Sequence, residues 1–185
     1  SASDLDLPVF NGKYSASCYI DGTISALSNM SLNRGQSLSK LLNEAAAVFM
    51  HRPFHKMPMN AFSISYLYAL ANGNEDDHQE FYDLLAQANI QPEEIKKELK
   101  ERPDLVTFLQ TDINKELFPK TNKALKSLNR IKPFEDKVLS KIKLGNELTK
   151  EMGNIYSGSI FAWLAAGIED SMKNGKTLNG KNGLL

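Results

Sequence analysis

The residues best suited to chemistry lie in Val48-Phe-Met-His51-Arg-Pro-Phe-His-Lys-Met57. Histidine changes protonation near neutral pH, so it can donate or accept a proton or bind a metal. His51 follows an apolar run over 45–50 that is too short for a helix and suits a buried strand. Pro53 cannot continue a central strand and fits a first helical turn. His51 is therefore expected on a strand-to-helix corner, where α/β sheets carry their chemistry. On spacing alone, a hydrogen-bonded structural histidine is the default reading. His51 and His55 are four apart, like two metal ligands on one helix face. Pro53 lies between them, no glutamate follows His51 and no third ligand is evident, so no metal is expected.

Cys18 is the chain's single cysteine. At a helix start its thiol pKa could be lowered, but a small buried residue is the expected role. One cysteine excludes an internal disulfide framework and fits a reducing compartment.

The elements that must position this corner follow from pattern and punctuation. Asn11-Gly12 marks a turn, and Ser15 can cap a helix over 15–30 with Tyr19, Ile20, Ile24 and Leu27 as apolar positions. Gly22 inside that helix predicts close packing against a neighbour. Ser37 caps a short helix over 37–43. The apolar helical pattern over 54–71 contains Pro58, which predicts a kink or a restart there. An amphipathic helix over 75–88 has an acidic first turn, which suits the helix dipole. Pro92 opens another over 92–101, laced by Glu93–Lys97 and Glu98–Arg102 pairs. Short helices follow near 105–109, 117, 125–128 and 134–142. Ile160, Trp163, Leu164, Gly167 and Ile168 describe the best-patterned helix, over 157–172 with Ser157 as its cap. Gly183-Leu-Leu185 reads as the start of a strand.

The length of 185 residues, with 42% hydrophobic and 24% charged, suits one ordinary globular domain. The 22 basic and 22 acidic residues cancel, leaving no global field toward nucleic acid or anionic lipid. Eight Lys and Arg between Lys120 and Lys143 read as solvated helix faces. No apolar run reaches spanning length and the first residues resemble no signal peptide, so no membrane partner and a cytoplasmic location are expected.

Three ordered segments carry a resemblance: Pro8-Val-Phe-Asn-Gly-Lys-Tyr-Ser-Ala-Ser-Cys-Tyr19, Phe49-Met-His-Arg-Pro-Phe-His-Lys-Met57 and Gly153-Asn-Ile-Tyr-Ser-Gly-Ser159. Together they resemble the C-terminal half of hydroxymethylglutaryl-CoA synthases, in the thiolase superfamily. The similarity covers most of the chain outside 75–130. It implies an α/β fold: the C-terminal half of a thiolase-like layered structure, helix-rich through an inserted helical region, with 1–185 as one C-terminal domain. Family members are longer. They have an N-terminal half bearing the acylated cysteine and the glutamate base, and final strands with a Tyr-Gly-Ser-Gly motif. Neither occurs in this sequence. The chain is thus expected to be part of an enzyme whose partners are that N-terminal half and, as a homodimer, a second protomer. A large apolar face is expected where the N-terminal half belongs, near Trp163 and the 54–70 helix.

The resemblance implies acetyl-CoA and acetoacetyl-CoA as substrates, with no cofactor, in the mevalonate route to isoprenoids. The family acetylates a cysteine, forms a carbanion equivalent, attacks the acceptor ketone and hydrolyses the thioester. By the same resemblance His51 is the catalytic histidine and Asn154 the asparagine that holds a carbonyl. Lys56 is a lysine near the CoA entrance, and Tyr156 and Ser159 are supporting substrate-binding positions. Met50 stands where phenylalanine is common, and Pro58 departs from the usual helix after the histidine. Two alternatives remain: a polyketide β-branching synthase with a carrier-protein-bound acceptor, and a non-catalytic binding or scaffolding piece.

Overall fold

A computed structural model describes residues 11–147, 158–175 and 178–184. The first helix, α1 (Gly12–Asn33), begins earlier than the Ser15 cap predicts. The Asn11 side chain accepts from the backbone N–H groups of Lys13 and Tyr14, at 3.1 and 3.0 Å. The Ser15 N–H is already bonded within the helix, to the Asn11 carbonyl at 3.0 Å. Asparagine at the true boundary satisfies the orphan donors, so Ser15 has nothing left to cap. α1 buries Ile20, Ile24 and Leu27 along one stripe.

Gly22 does not serve close packing. A Cβ built there meets no heavy atom within 4 Å. For stability the glycine therefore carries its helical entropy cost with no packing gain, and Gly22→Ala should stabilise the fold by about 0.5–1 kcal/mol. Urea denaturation reads this directly, and a destabilised variant would mean that the space beside Gly22 is filled.

α2 (Leu38–Glu44) is capped by Ser37, as its sequence predicts. The strand expected over 45–50 is only β1 (Ala47–Val48), paired in parallel with β2 (Gly183–Leu184). Two flanking bonds prolong the ladder, from the Ala46 N–H to the Asn182 carbonyl and from the Phe49 N–H to the Leu184 carbonyl, both 2.8 Å. A strand lasts as long as its partner, and this partner is two residues long. Pro53 does not start a helix. A helix from Pro53 would put Pro58 inside it, against the carbonyl of Phe54. The chain instead turns irregularly through 51–56, and α3 (Met57–Ala71) begins with Pro58 in its first turn.

α3 is buried nearly all round, with Phe62, Ile64, Tyr66, Leu67 and Leu70 at 0% exposure. A helix buried nearly all round must lie at the centre of the helical assembly. The helices packed on it are α1, α2, α4 (Glu75–Gln87), α5 (Pro92–Lys100), α7 (Pro119–Leu128) and α8 over 132–142. Within α8 a π segment, Glu135–Leu139, is flanked by single α turns, Lys132–Phe134 and Ser140–Ile142. α6 (Leu105–Thr111) buries none of its residues. α9 (Ser159–Lys173) completes the described helices. The Ser157 cap lies outside the described residues.

Long-range geometry overrides the i, i+4 pair Glu98–Arg102. Glu98 instead accepts from the N–H groups of Lys120 and Thr121 and from the Thr121 hydroxyl, so it caps α7. Arg102 reaches Asp21 and Ser25 on α1. Three donors at a helix N-terminus outweigh one exposed ion pair. Trp163 lies near an exposed apolar stripe without being part of it. It is fully buried, as is most of α3, and the exposed large apolar residues of α9 are Phe161, Ile168 and Met172 on the opposite side. Among the described residues, no helix is long and apolar enough to cross a membrane.

Candidate active site

β1 delivers the chain to His51, whose exposed side chain lines an open cavity of about 410 Å³. The opposite wall is the α1 face that carries Cys18, Gly22, Thr23 and Ala26, and Ile160 of α9 contributes from the side. The wall is largely apolar. Small residues on α1 keep the space open, which gives Gly22 a second consequence: a methyl there would narrow the cavity beside the histidine.

Among the described residues the imidazole is anchored on one side only. Its Nδ1 lies 2.8 Å from the Ser159 hydroxyl in the first turn of α9. Among the described residues Nε2 has no hydrogen-bond partner, so the ring presents a free nitrogen. The peptide unit behind it is held at both ends. Tyr19 donates its hydroxyl to the His51 carbonyl, and the Arg52 N–H points to the Ser159 Oγ at 3.4 Å. Burial pushes the Tyr19 phenol well above its ordinary pKa, with the Arg52 charge acting in the opposite direction. Tyr19 therefore stays protonated and remains a donor across the working pH range.

Arg52 itself points inward and is 7% exposed. Its guanidinium lies 4.2 Å from the centroid of the Trp163 ring and donates to Asn146 Oδ1. Burial lowers the Arg52 pKa, but a guanidinium remains charged under all ordinary conditions.

The residues singled out from sequence are not all gathered. His51 and Ser159 meet, although 108 positions separate them. The Ser159 hydroxyl contacts the histidine ring directly. Lys56 is exposed and lines a different cavity, of about 240 Å³, with Lys13, Ser17 and Asn60. α1 separates the two spaces: Cys18 and Gly22 face one, Lys13 and Ser17 the other. Asn154 and Tyr156 lie outside the described residues. Cys18 sits half-buried on the wall of the histidine cavity.

Sequence reasoning passes over Tyr19 and Arg52. It places Tyr19 only on an apolar stripe. Arg52 carries one signal, a permanent charge set between an apolar run and a proline. Such a residue must find a partner if the corner is buried.

The chain matches the family model for the hydroxymethylglutaryl-coenzyme A synthase C terminal over residues 3–183. The chain belongs to this family. The match spans nearly all of its length, including the 75–130 region, and identifies it as a C-terminal portion of a synthase of the condensing, acyltransferase type. Neither the curated proteins nor the solved structures gave a match.

Proposed function

We propose that the polypeptide carrying this chain condenses acetyl-CoA with acetoacetyl-CoA to give hydroxymethylglutaryl-CoA, and that this chain supplies the acceptor side of the site. In this reading the acetyl group is carried as a thioester on a cysteine of the N-terminal half. Loss of a proton makes its methyl carbon nucleophilic, and that carbon adds to the acceptor ketone. The ketone oxygen becomes an alkoxide, which a positioned donor must stabilise and finally protonate. His51 fills that role through Nε2. Hydrolysis of the thioester then frees the product.

The observation that carries the reading is the His51 ring, which lines a largely apolar cavity and is held at Nδ1 by Ser159, with no hydrogen-bond partner at Nε2 among the described residues. Low-dielectric walls strengthen a hydrogen bond to developing charge. Asn154 holds the thioester or ketone carbonyl, and Tyr156 supports the substrate. Lys56, on the far side of α1, acts as a point charge for CoA phosphate, with Lys13 beside it. The same reading seats the N-terminal half on the exposed apolar stripe of α9, Phe161, Ile168 and Met172. It completes a thiolase-like layered fold, in an active form that is a homodimer of longer protomers.

The test mixes the full-length protein with acetyl-CoA and acetoacetyl-CoA and measures free CoA and hydroxymethylglutaryl-CoA. Both should appear in equal amounts. Product formed only from carrier-protein-bound acetoacetate would assign the β-branching reaction instead, and no product from either acceptor would reject condensation altogether.

A further inference from the structure

Arg52 stands between the histidine and Pro53, yet its side chain turns away from the cavity into the protein. A buried guanidinium is costly unless a fixed environment replaces its water. Here that environment is rigid. The face of Trp163 lies 4.2 Å from the guanidinium carbon. The indole cannot turn, because its Nε1–H donates to the Leu144 carbonyl at 2.6 Å and Phe49 packs edge-on at 6.1 Å and 87°. Asn146, which accepts from Arg52, lies in the same turn as Leu144. That turn is itself tied to α9, because the Gly145 N–H donates to Asp170 at 3.1 Å.

These contacts close a circuit from the end of β1, through Trp163 and the 144–146 turn, back to the corner that bears the histidine. The peptide unit between His51 and Arg52 has its carbonyl held by Tyr19 and its N–H directed at Ser159. The Arg52 side chain is the third anchor of that unit.

We propose that Arg52 is a positioning residue: by stacking on Trp163 and bonding Asn146, it holds the His51 imidazole against Ser159 with Nε2 aimed into the cavity. Arg52 touches no substrate in this arrangement and acts only through His51. The functional consequence rests on the condensation reading above, whereas the mechanical one does not. The stack needs a cation, and the bond to Asn146 needs a donor. Methionine occupies a similar volume of buried space without either, and lysine restores the charge and a donor group but not the planar fork.

The experiment compares Arg52→Met and Arg52→Lys in the full-length protein. Folding is checked by thermal unfolding and by emission of Trp163, the single tryptophan of this chain. Arg52→Met should fold, because an apolar side chain of similar size removes a desolvation cost. Acetyl-enzyme formation from labelled acetyl-CoA should stay within about twofold, while kcat for condensation falls about 10²-fold, as a misplaced catalytic group does. Arg52→Lys should recover to within about tenfold of wild type. Equal performance of the Met and Lys variants, or equal loss in both half-reactions, would reduce Arg52 to a packing residue and overturn the proposal. If the wild-type protein does not condense, the proposed function fails and Arg52 is judged by NMR relaxation of the His51 ring. Ring order should drop in Arg52→Met and be retained in Arg52→Lys, and an unchanged ring in both overturns the proposal. If Arg52→Met does not fold, Asn146→Ala takes its place, and undiminished condensation or ring order in that variant likewise overturns it.

Discussion

Replacing His51 with alanine should leave acetylation of the enzyme cysteine intact and lower condensation by about 10²–10³-fold, the cost of one lost oxyanion donor. The separation follows from the order of steps. Acetylation needs only the first substrate and the cysteine's own surroundings. In the proposed reaction the acceptor ketone acquires negative charge only in the second step, where His51 Nε2 is assigned to meet it. Binding of acetoacetyl-CoA should also weaken, because the ground-state ketone loses the same donor. Cys18→Ser supplies the control. Cys18 shares the cavity wall with His51, so a substitution that disturbed the cavity as a whole would register at both positions. With His51 as the donor and Cys18 as packing, Cys18→Ser keeps both half-reactions near normal. The measurement is paired, acetyl-enzyme formation from labelled acetyl-CoA and then product after addition of acetoacetyl-CoA. A His51→Ala protein that condenses at close to the normal rate would remove His51 from the mechanism, and loss of acetylation in Cys18→Ser would reopen the question of the nucleophile.

The second large effect is on stability, at Gly145. Two constraints coincide there. Its φ is +75°, a region that costs side chains other than glycine about 1–2 kcal/mol. A Cβ would also stand 2.6 Å from the Gly167 nitrogen and 2.9 Å from the Ala166 carbonyl carbon. Those atoms belong to the backbone of α9 and cannot swing aside, so overpacking adds about 1–3 kcal/mol. Gly145→Ala should therefore cost about 2–5 kcal/mol, a large part of the roughly 5–15 kcal/mol that holds a domain folded. Gly35 offers the comparison. It has φ +62°, but a Cβ there would meet no heavy atom within 4 Å, so Gly35→Ala should show the strain alone. Urea midpoints of the two variants separate the contributions. If Gly145→Ala is no less stable than Gly35→Ala, the 144–146 turn does not lie against α9 as described, and the support of Asn146 for Arg52 goes with it.

What the sequence by itself determined is mostly local. Ser37 capping α2, the buried stripe of Ile20, Ile24 and Leu27, the existence of α9 with Trp163 and Gly167 inward (though not Ile168, which is exposed) and the placement of His51 just after a strand depend on residues within a turn or two of one another. Pro58 was legible as a disturbance of the 54–71 helix, a kink or a restart, and the structure resolves it as the first turn of α3 with no helix before it. The resemblance in three ordered segments added the family, because motif order survives where contacts cannot be read. It also nominated Asn154 and Tyr156, which lie outside the described residues.

Only the tertiary structure decided the partners. Glu98 had an arginine four positions away and went instead to three donors at the start of α7. Ser159 met His51 across 108 positions, and Arg52 found Trp163 and Asn146. Lys56 came to lie across α1 from the cavity of a histidine only five residues before it. The physical reason is common to all of these. Helix and strand signals are sums over neighbouring residues, each small and each local. A buried polar or charged side chain has one dominant requirement, a partner to replace water, and which partner lies within about 3 Å is set by how distant elements pack.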